Sequence, residues 1–229
     1  MTAPASLPRR RKSARRAEIL AAAREVFSVK PFEVASVSEI ARSAGCVEGT
    51  IYTYFRNKRD LFDTVLAEFY DRLIADIEPR FDAINGTRDR LGYLVARHLQ
   101  IAIDDPGVGR IIAREARGQA AYFGSKLHAL NRRYSRFLLK TLSDGIERGE
   151  LRADLDPVLA RDMLFGGLEH IVWNQVDRQR AFDPGRAAQA IVAMLLEGWQ
   201  IPGAQASVDS LRQRLDRLEA RIEGGRRRG

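Results

Sequence analysis

Apolar positions recur three and four residues apart almost from end to end of the chain, and no stretch alternates apolar and polar residues over the length of a strand. That pattern predicts an all-α protein. Ile19, Leu20, Ala23, Val26 and Phe27 form one stripe, predicting a helix over about 13–29 that Pro31 helps to stop. A short helix follows from Ser36, with Glu39 three residues on as capping-box partner, Val37, Ile40, Ala41 and Ala44 as its apolar face, and Gly45 at its end. A third segment over 48–55 begins after very few residues. Asn57 then caps a long helix over 58–77, with Pro79 beyond it and Leu61, Phe62, Val65, Leu66, Phe69 and Leu73 on its apolar side. Recognisable breakers set further helices at 87–104, 108–118, 122–148, 157–179 and 184–199, the last two opening with proline in the first turn. Three small helices followed by a larger helical body make a two-part architecture.

The third segment is odd in composition. Thr50, Ile51, Tyr52, Thr53, Tyr54 and Phe55 are β-branched or aromatic, which locally favours a strand. Two short helices joined through a glycine turn and braced by a preceding helix form a helix-turn-helix, whose second helix enters the major groove of DNA. Such a helix needs few residues for its own core, here Ile51 and Phe55 at i and i+4. Thr50, Tyr52, Thr53 and Tyr54 then offer hydroxyls to phosphates and base edges, and methyl or ring surface to thymine. Adjacent residues on a helix point about 100° apart, so Tyr52 and Tyr54 cannot both share the buried face with Ile51 and Phe55. Gly49 allows close approach of backbone to DNA, Lys58 is a phosphate clamp, and Glu48 is a favourable first-turn acid that can also accept from cytosine. Ser36 caps its helix and can also meet DNA.

Charge sharpens this reading. The net charge is +8, and residues 1–16 hold six basic side chains and no acidic one, among them Arg9, Arg10, Arg11 and Lys12, while Arg226 to Arg228 add three more. The body between is therefore close to neutral, and a short basic arm beside a folded module suits a phosphate backbone. The single cysteine, Cys46, excludes an intramolecular disulfide and a multi-thiolate zinc site. No run approaches a membrane span and the first residues lack the apolar core of a signal peptide, which places the expected site of action in the cytoplasm, away from membranes.

The segments AEILAAAREVF and VASVSEIARSAGCVEGTIYTYFRNKRDLFDTVL closely resemble the TetR/AcrR family of transcriptional regulators over about residues 16–66. The resemblance places Ser36, Ser38, Glu48, Gly49, Thr50, Tyr52, Thr53, Tyr54 and Lys58 where family members touch DNA. It departs at Val47, where many members carry a capping Ser or Thr, and at Pro31, where glycine is common. It implies a palindromic double-stranded operator, a ligand cavity among the middle helices, and a homodimer formed by the last two long ones. The expected organisation is a basic arm at 1–15, a DNA-binding domain at 16–62 with its helix-turn-helix at 36–55, a ligand-binding and dimerisation domain at 63–203, and a tail at 204–229.

In the body, polar groups inside apolar helices are the pointers to a pocket. Arg97, His98, Arg110, Arg114, Glu169 and His170 are the polar candidates; Tyr93, Tyr122, Phe123, Tyr134, Phe137, Phe165 and Trp173 are candidate walls. Gly166 and Gly167 in mid-helix are costly unless another helix passes close. With Ile171, and with Ala190, Met194 and Gly198 on the next helix, they are assigned to an isologous four-helix dimer interface, against ordinary packing within the chain. GRIIAREARG and LFGGLEHIVW look like the C-terminal halves of members that sense lipophilic or acyl-type molecules, so an amphipathic effector with an anionic end meeting an arginine is expected. Val208, Leu211, Leu215, Leu218 and Ile222 form a heptad seam in the tail that pairs locally, packs back, or joins dimers into a tetramer.

The expected function is a ligand-responsive repressor that releases its operator when the effector binds, against an architectural or activating DNA-binding protein without small-molecule control. The histidines lie far apart and no phosphate-binding glycine loop follows a strand, so no enzyme, cofactor or metal is expected.

Overall fold

The computed structural model describes residues 7–117, 122–178 and 182–200. Among them are nine helices and no strand: α1 (Leu7–Val29), α2 (Val37–Ser43), α3 (Glu48–Tyr54), α4 (Lys58–Ala83), α5 (Thr87–Asp104), α6 (Pro106–Arg117), α7 (Lys126–Glu147), α8 (Pro157–Arg178) and α9 (Pro184–Trp199). The heptad-patterned tail lies outside the described residues. None of the described helices is long and apolar enough to cross a membrane.

Helix α1 starts before the expected residue 13. Pro8 occupies the first turn, where its missing N–H is not needed, and arginine and lysine favour helix, so the described part of the basic run opens α1 and is no separate arm. Arg11 and Lys12 are exposed there; the side chains of Arg9 and Arg10 lie outside the described residues. The capping box forms as the spacing predicts: Ser36 Oγ accepts the Glu39 N–H at 3.1 Å and Glu39 Oε2 accepts the Ser36 N–H at 3.2 Å. The helix then closes in a Schellman arrangement, with Cys46 N–H donating to Ala41 O at 2.9 Å and Gly45 N–H to Arg42 O at 3.2 Å. Gly45 supports this with a φ of 61°, a left-handed value that few other residues adopt cheaply.

Two further boundaries lie a turn or more from expectation. Helix α4 runs through Pro79 to Ala83. Ile77 and Phe81 are both buried, and the Phe81 ring meets Phe137 edge-on at 5.2 Å and carries the Arg90 guanidinium 4.8 Å above it, which offsets the lost hydrogen bond at the proline. Helix α7 begins at Lys126 and not at 122, because Ser125 Oγ takes the His128 N–H at 3.1 Å and Gly124 turns the chain at a φ of 84°.

Helix α5 is central, packed by α6, α7, α8 and α9. Its N-cap, Gly86, has no side chain, so the cap comes from elsewhere in the chain. Glu150 Oε2 accepts the Thr87 N–H at 2.9 Å, and Arg148 Nε donates to Glu150 Oε1 at 2.6 Å. Space at this joint is exhausted: a Cβ on Gly145 would stand 2.6 Å from Thr87 Oγ1 and 2.9 Å from Leu151 Cδ1.

The Arg148 hydrogen bond holds the Glu150 carboxyl down at about 2. A carboxyl depressed by folding contributes its stability in full above the ordinary value, about 4.5, and loses it as pH falls through about 2. Glu150→Gln is therefore expected to lower the melting temperature at neutral pH and to shallow the fall in stability between those two pH values, both read by thermal melts. Gly145→Ala should destabilise by about 1–3 kcal/mol through overpacking, measured by urea unfolding.

Candidate nucleic-acid interface and effector cavity

Ile51 and Phe55 are 1% and 2% exposed and seat α3 on α1 and α2. Arg16 places its guanidinium 5.5 Å from the Phe55 ring and pairs with Glu68 at 2.7 Å, which braces the seat. Glu48, Gly49, Tyr52 and Thr53 are exposed, and their spacing puts them on one face of α3. Tyr52 is 50% exposed, whereas Tyr54 is half-buried against the core and Thr50 is half-buried, so the two tyrosines divide as helix geometry requires. Thr53 Oγ1 donates to Gly49 O at 3.0 Å, which commits its hydrogen within the helix. Ser38 is exposed on α2, while Ser36 is occupied as the cap. Val47, 73% exposed, is the N-cap of α3 and provides no side-chain acceptor.

Lys58 does not stand free. Its Nζ donates to Phe32 O at 2.7 Å and Ala35 O at 2.9 Å, and it sits 4.5 Å over the Phe32 ring. With the tilted and edge-on contacts among the rings of Phe27, Phe32 and Phe62, this fastens the turn between α1 and α2 to the start of α4. Its ammonium thus serves the module's own backbone in place of the expected clamp on phosphate.

A second seam joins α1 to α6. Arg114 donates to the carbonyls of Phe27 and, at 3.3 Å, Val29, while Arg110 Nε donates to Ser28 O at 3.3 Å. Arg24 pairs with Asp105 at 2.6 Å, and Asp105 Oδ1 accepts the Val108 N–H at 3.1 Å. Glu115 is buried beside this seam, and its burial pushes its carboxyl up.

On its other side α6 faces a cavity of about 470 Å³, within the range of small-molecule sites. Phe69, Tyr70 and Leu73 line it from α4, His98 and Ile101 from α5, and Gly109, Arg110 and Ile112 from α6. Asn131, Arg132, Tyr134 and His128 come from α7, Arg161, Phe165, Glu169 and Val172 from α8, and Tyr122 and Phe123 from the turn before α7. Burial lowers the His98 imidazole to about 4 and pushes the Tyr70 and Tyr134 hydroxyls up, so at neutral pH all three are uncharged.

Of the expected pocket residues, His98, Arg110, Tyr122, Phe123, Tyr134, Phe165 and Glu169 come together on this cavity. Five others do not line it. Arg97 bridges Asp76 at 3.0 Å and Asp104 at 3.2 Å, and Tyr93 lies beside that pair. Arg114 is spent on α1, Phe137 packs on Phe81 in the core, and His170 is on the exposed face of α8. The Trp173 side chain lies outside the described residues. Tyr70, Asn131, Arg132 and Arg161 were missed; a signal existed for Asn131, a polar residue one place from Leu130 and three before Tyr134 on the buried stripe of α7.

Gly166, Gly167 and Gly198 have nothing within 4 Å of an added Cβ, Met163 and Met194 are each 65% exposed, Ala190 is exposed and Ile171 is half-buried. Gly166 also lines the cavity, and among the described residues no close helix crossing accounts for Gly167 or Gly198. Among the described residues no group of three or more His, Cys, Asp or Glu is placed to hold a metal.

A helix-turn-helix module fastened to a helical body with an internal cavity defines a sensor-type regulator. Residues 19–65 match the tetR family of bacterial regulatory proteins and residues 66–198 match the C-terminal region of YsiA-like proteins. The chain belongs to the tetR family of bacterial regulatory proteins, with a YsiA-like C-terminal region. It is 29% identical over 185 residues to the fatty acid metabolism regulator protein of Bacillus subtilis (strain 168), covering 79% of this chain and 93% of that one. It is 27% identical over 216 residues to the HTH-type transcriptional repressor KstR2 of Rhodococcus jostii (strain RHA1), covering 88% and 99%. The crystal structure of the transcriptional regulator FadR from Bacillus subtilis in complex with stearoyl-CoA superposes with a TM-score of 0.72 at 27% identity, covering 79% of this chain and 97% of that one.

Because Val47 is exposed, replacing it loses little burial. Val47→Ser should supply the missing acceptor at the start of α3 and raise stability by about 0.5–1 kcal/mol, checked by urea unfolding.

Proposed function

We propose that this protein is a homodimeric repressor that grips a palindromic operator through α2 and α3 and releases it when an acyl-coenzyme A thioester enters the cavity. One observation carries the reading: α6 presents Gly109, Arg110 and Ile112 to the cavity and, through Arg110 and Arg114, holds the last carbonyls of α1. An occupant that displaces α6 must pull on the helix that braces the DNA-reading module. Phe69, Leu73, Ile101, Ile112 and Phe165 suit an acyl chain, while Arg110, Arg132 and Arg161, from three different helices, suit the phosphates of the coenzyme. The stearoyl-CoA complex of the Bacillus subtilis relative and the repressor name of the Rhodococcus jostii relative support this assignment.

Ser38, Glu48, Gly49, Thr50, Tyr52 and Thr53 are assigned to the DNA face, Tyr54 and Ser36 to its support, and the basic opening of α1 to the phosphate backbone. The unexplained glycines of α8 and α9, with Met163, Met194 and Ala190, are assigned to the dimer interface. There, two recognition helices about 34–36 Å apart would meet successive major grooves. The boundaries at 16–62 and 63–203 follow as the reading and sensing parts, and the role assigned to both is binding, with no catalytic step.

Linkage requires effector and operator to weaken each other by equal factors. With an operator selected from random duplexes, palmitoyl-CoA should lower operator affinity in fluorescence anisotropy, and coenzyme A alone should not; no change with acyl chains of any length would overturn the reading. Tyr52→Ala should weaken the operator about tenfold without lowering the melting temperature, and Arg132→Ala should weaken the thioester's effect while sparing DNA affinity.

A further inference from the structure

The cavity wall carries hydrogen-bond donors that find no acceptor among the described residues. His98 is half-buried, stacked on Tyr134 with ring centroids 6.0 Å apart and against Phe165 at 5.2 Å, and its Nδ1 lies 3.3 Å from Tyr134 Oη. A neutral imidazole has one N–H and one lone pair, and a phenol has one O–H. If Tyr134 donates to Nδ1, the proton of the ring sits on Nε2 and has no acceptor among the described residues. If Nδ1 donates to Tyr134, the Tyr134 O–H is left over. Either tautomer leaves one surplus donor in the pair.

The same accounting holds on α7. Tyr70 Oη donates to Asn131 Oδ1, and Asn131 Nδ2 donates to Tyr122 Oη at 2.7 Å. That relay ends on the Tyr122 O–H and leaves the second N–H of Asn131 over, and both residues line the cavity. A hydrocarbon pressed on these groups would leave them unsatisfied, whereas an oxygen would satisfy them. His98 and Tyr134 are both uncharged at neutral pH, so the acceptor that matches them is itself neutral.

We infer that the effector carries a neutral acceptor oxygen, a carbonyl or hydroxyl, inside the cavity, and that the His98–Tyr134 pair reads it and sets specificity. This rests on the cavity being the effector site, and it does not depend on the coenzyme. The oxygen comes either from the thioester carbonyl or from an oxygenated acyl group.

The test uses the full chain and two volume-matched pairs measured by calorimetry. Benzophenone and diphenylmethane differ only in a carbonyl against a methylene; decanoyl-CoA and its thioether analogue S-decyl-CoA differ in the same way at the thioester. Benzophenone should bind about tenfold more tightly than diphenylmethane. The gap should close to within about twofold when Tyr134→Phe is combined with His98→Leu, and His98→Gln, which keeps a donor, should retain part of it. A melting curve of each variant separates lost recognition from lost folding. Equal affinity for the first pair, no binding by either, or a gap that survives in the double variant overturns the inference. In the second pair, a gap that closes with the double variant assigns the oxygen to the thioester, and equal binding assigns it to the acyl group. Failure of decanoyl-CoA to bind while benzophenone is still preferred rejects the coenzyme reading and leaves this one standing.

Discussion

Every helix ends with carbonyls that its own backbone cannot satisfy, and the structure turns on how those of α1 are met. They are met from α6, by the guanidinium groups of Arg110 and Arg114 on the carbonyls of Phe27, Ser28 and Val29, with the Arg24–Asp105 ion pair alongside. A cap made by the helix's own next residues would have left the end of α1 independent of α6. Here the end of the bracing helix is completed only while α6 is in place. The positive side chains also sit favourably against the negative end of the α1 dipole.

The same economy appears at Lys58. A surface lysine at a helix start would be a mobile charge, yet this one is held by the carbonyls of Phe32 and Ala35 and by the Phe32 ring. The turn after α1 and the beginning of α4 therefore belong to one body, so α4, which also lines the cavity with Phe69, Tyr70 and Leu73, has a second route to the module. These two routes run through different helices, and an occupant of the cavity touches both.

Local chemistry was legible in the sequence wherever the partners are close along the chain. The Ser36 and Glu39 box, the glycine turn at Gly45, the uncapped Val47, the anchors Ile51 and Phe55, and the bounds of α5 and α9 all follow from spacing and turn residues. What failed was long-range. Nothing near Gly86 announces that Glu150 caps α5, and Pro79 reads as a stop because the burial of Phe81 against Phe137 is invisible until the helices are assembled. For the cavity, polarity within apolar helices found His98 and Glu169 but also Arg97 and Arg114, because a charge in such a stretch has the same appearance whether it faces a ligand or an ion-pair partner. Asn131 interrupts the buried stripe of α7, and its role shows once Tyr70 and Tyr122 arrive from other segments.

Gly107 bears on how the two parts can move. A Cβ placed there would stand 3.0 Å from the Ser28 Cβ, so the bare backbone of α6 at Gly107 packs on the Ser28 side chain of α1 with no room for a methyl group between them. Such a contact has no slack in compression: α6 can slide along α1 or part from it, but it cannot press closer. The seam works as a mechanical stop, transmitting a push on α6 at once and without an elastic cushion of methyl groups to absorb it.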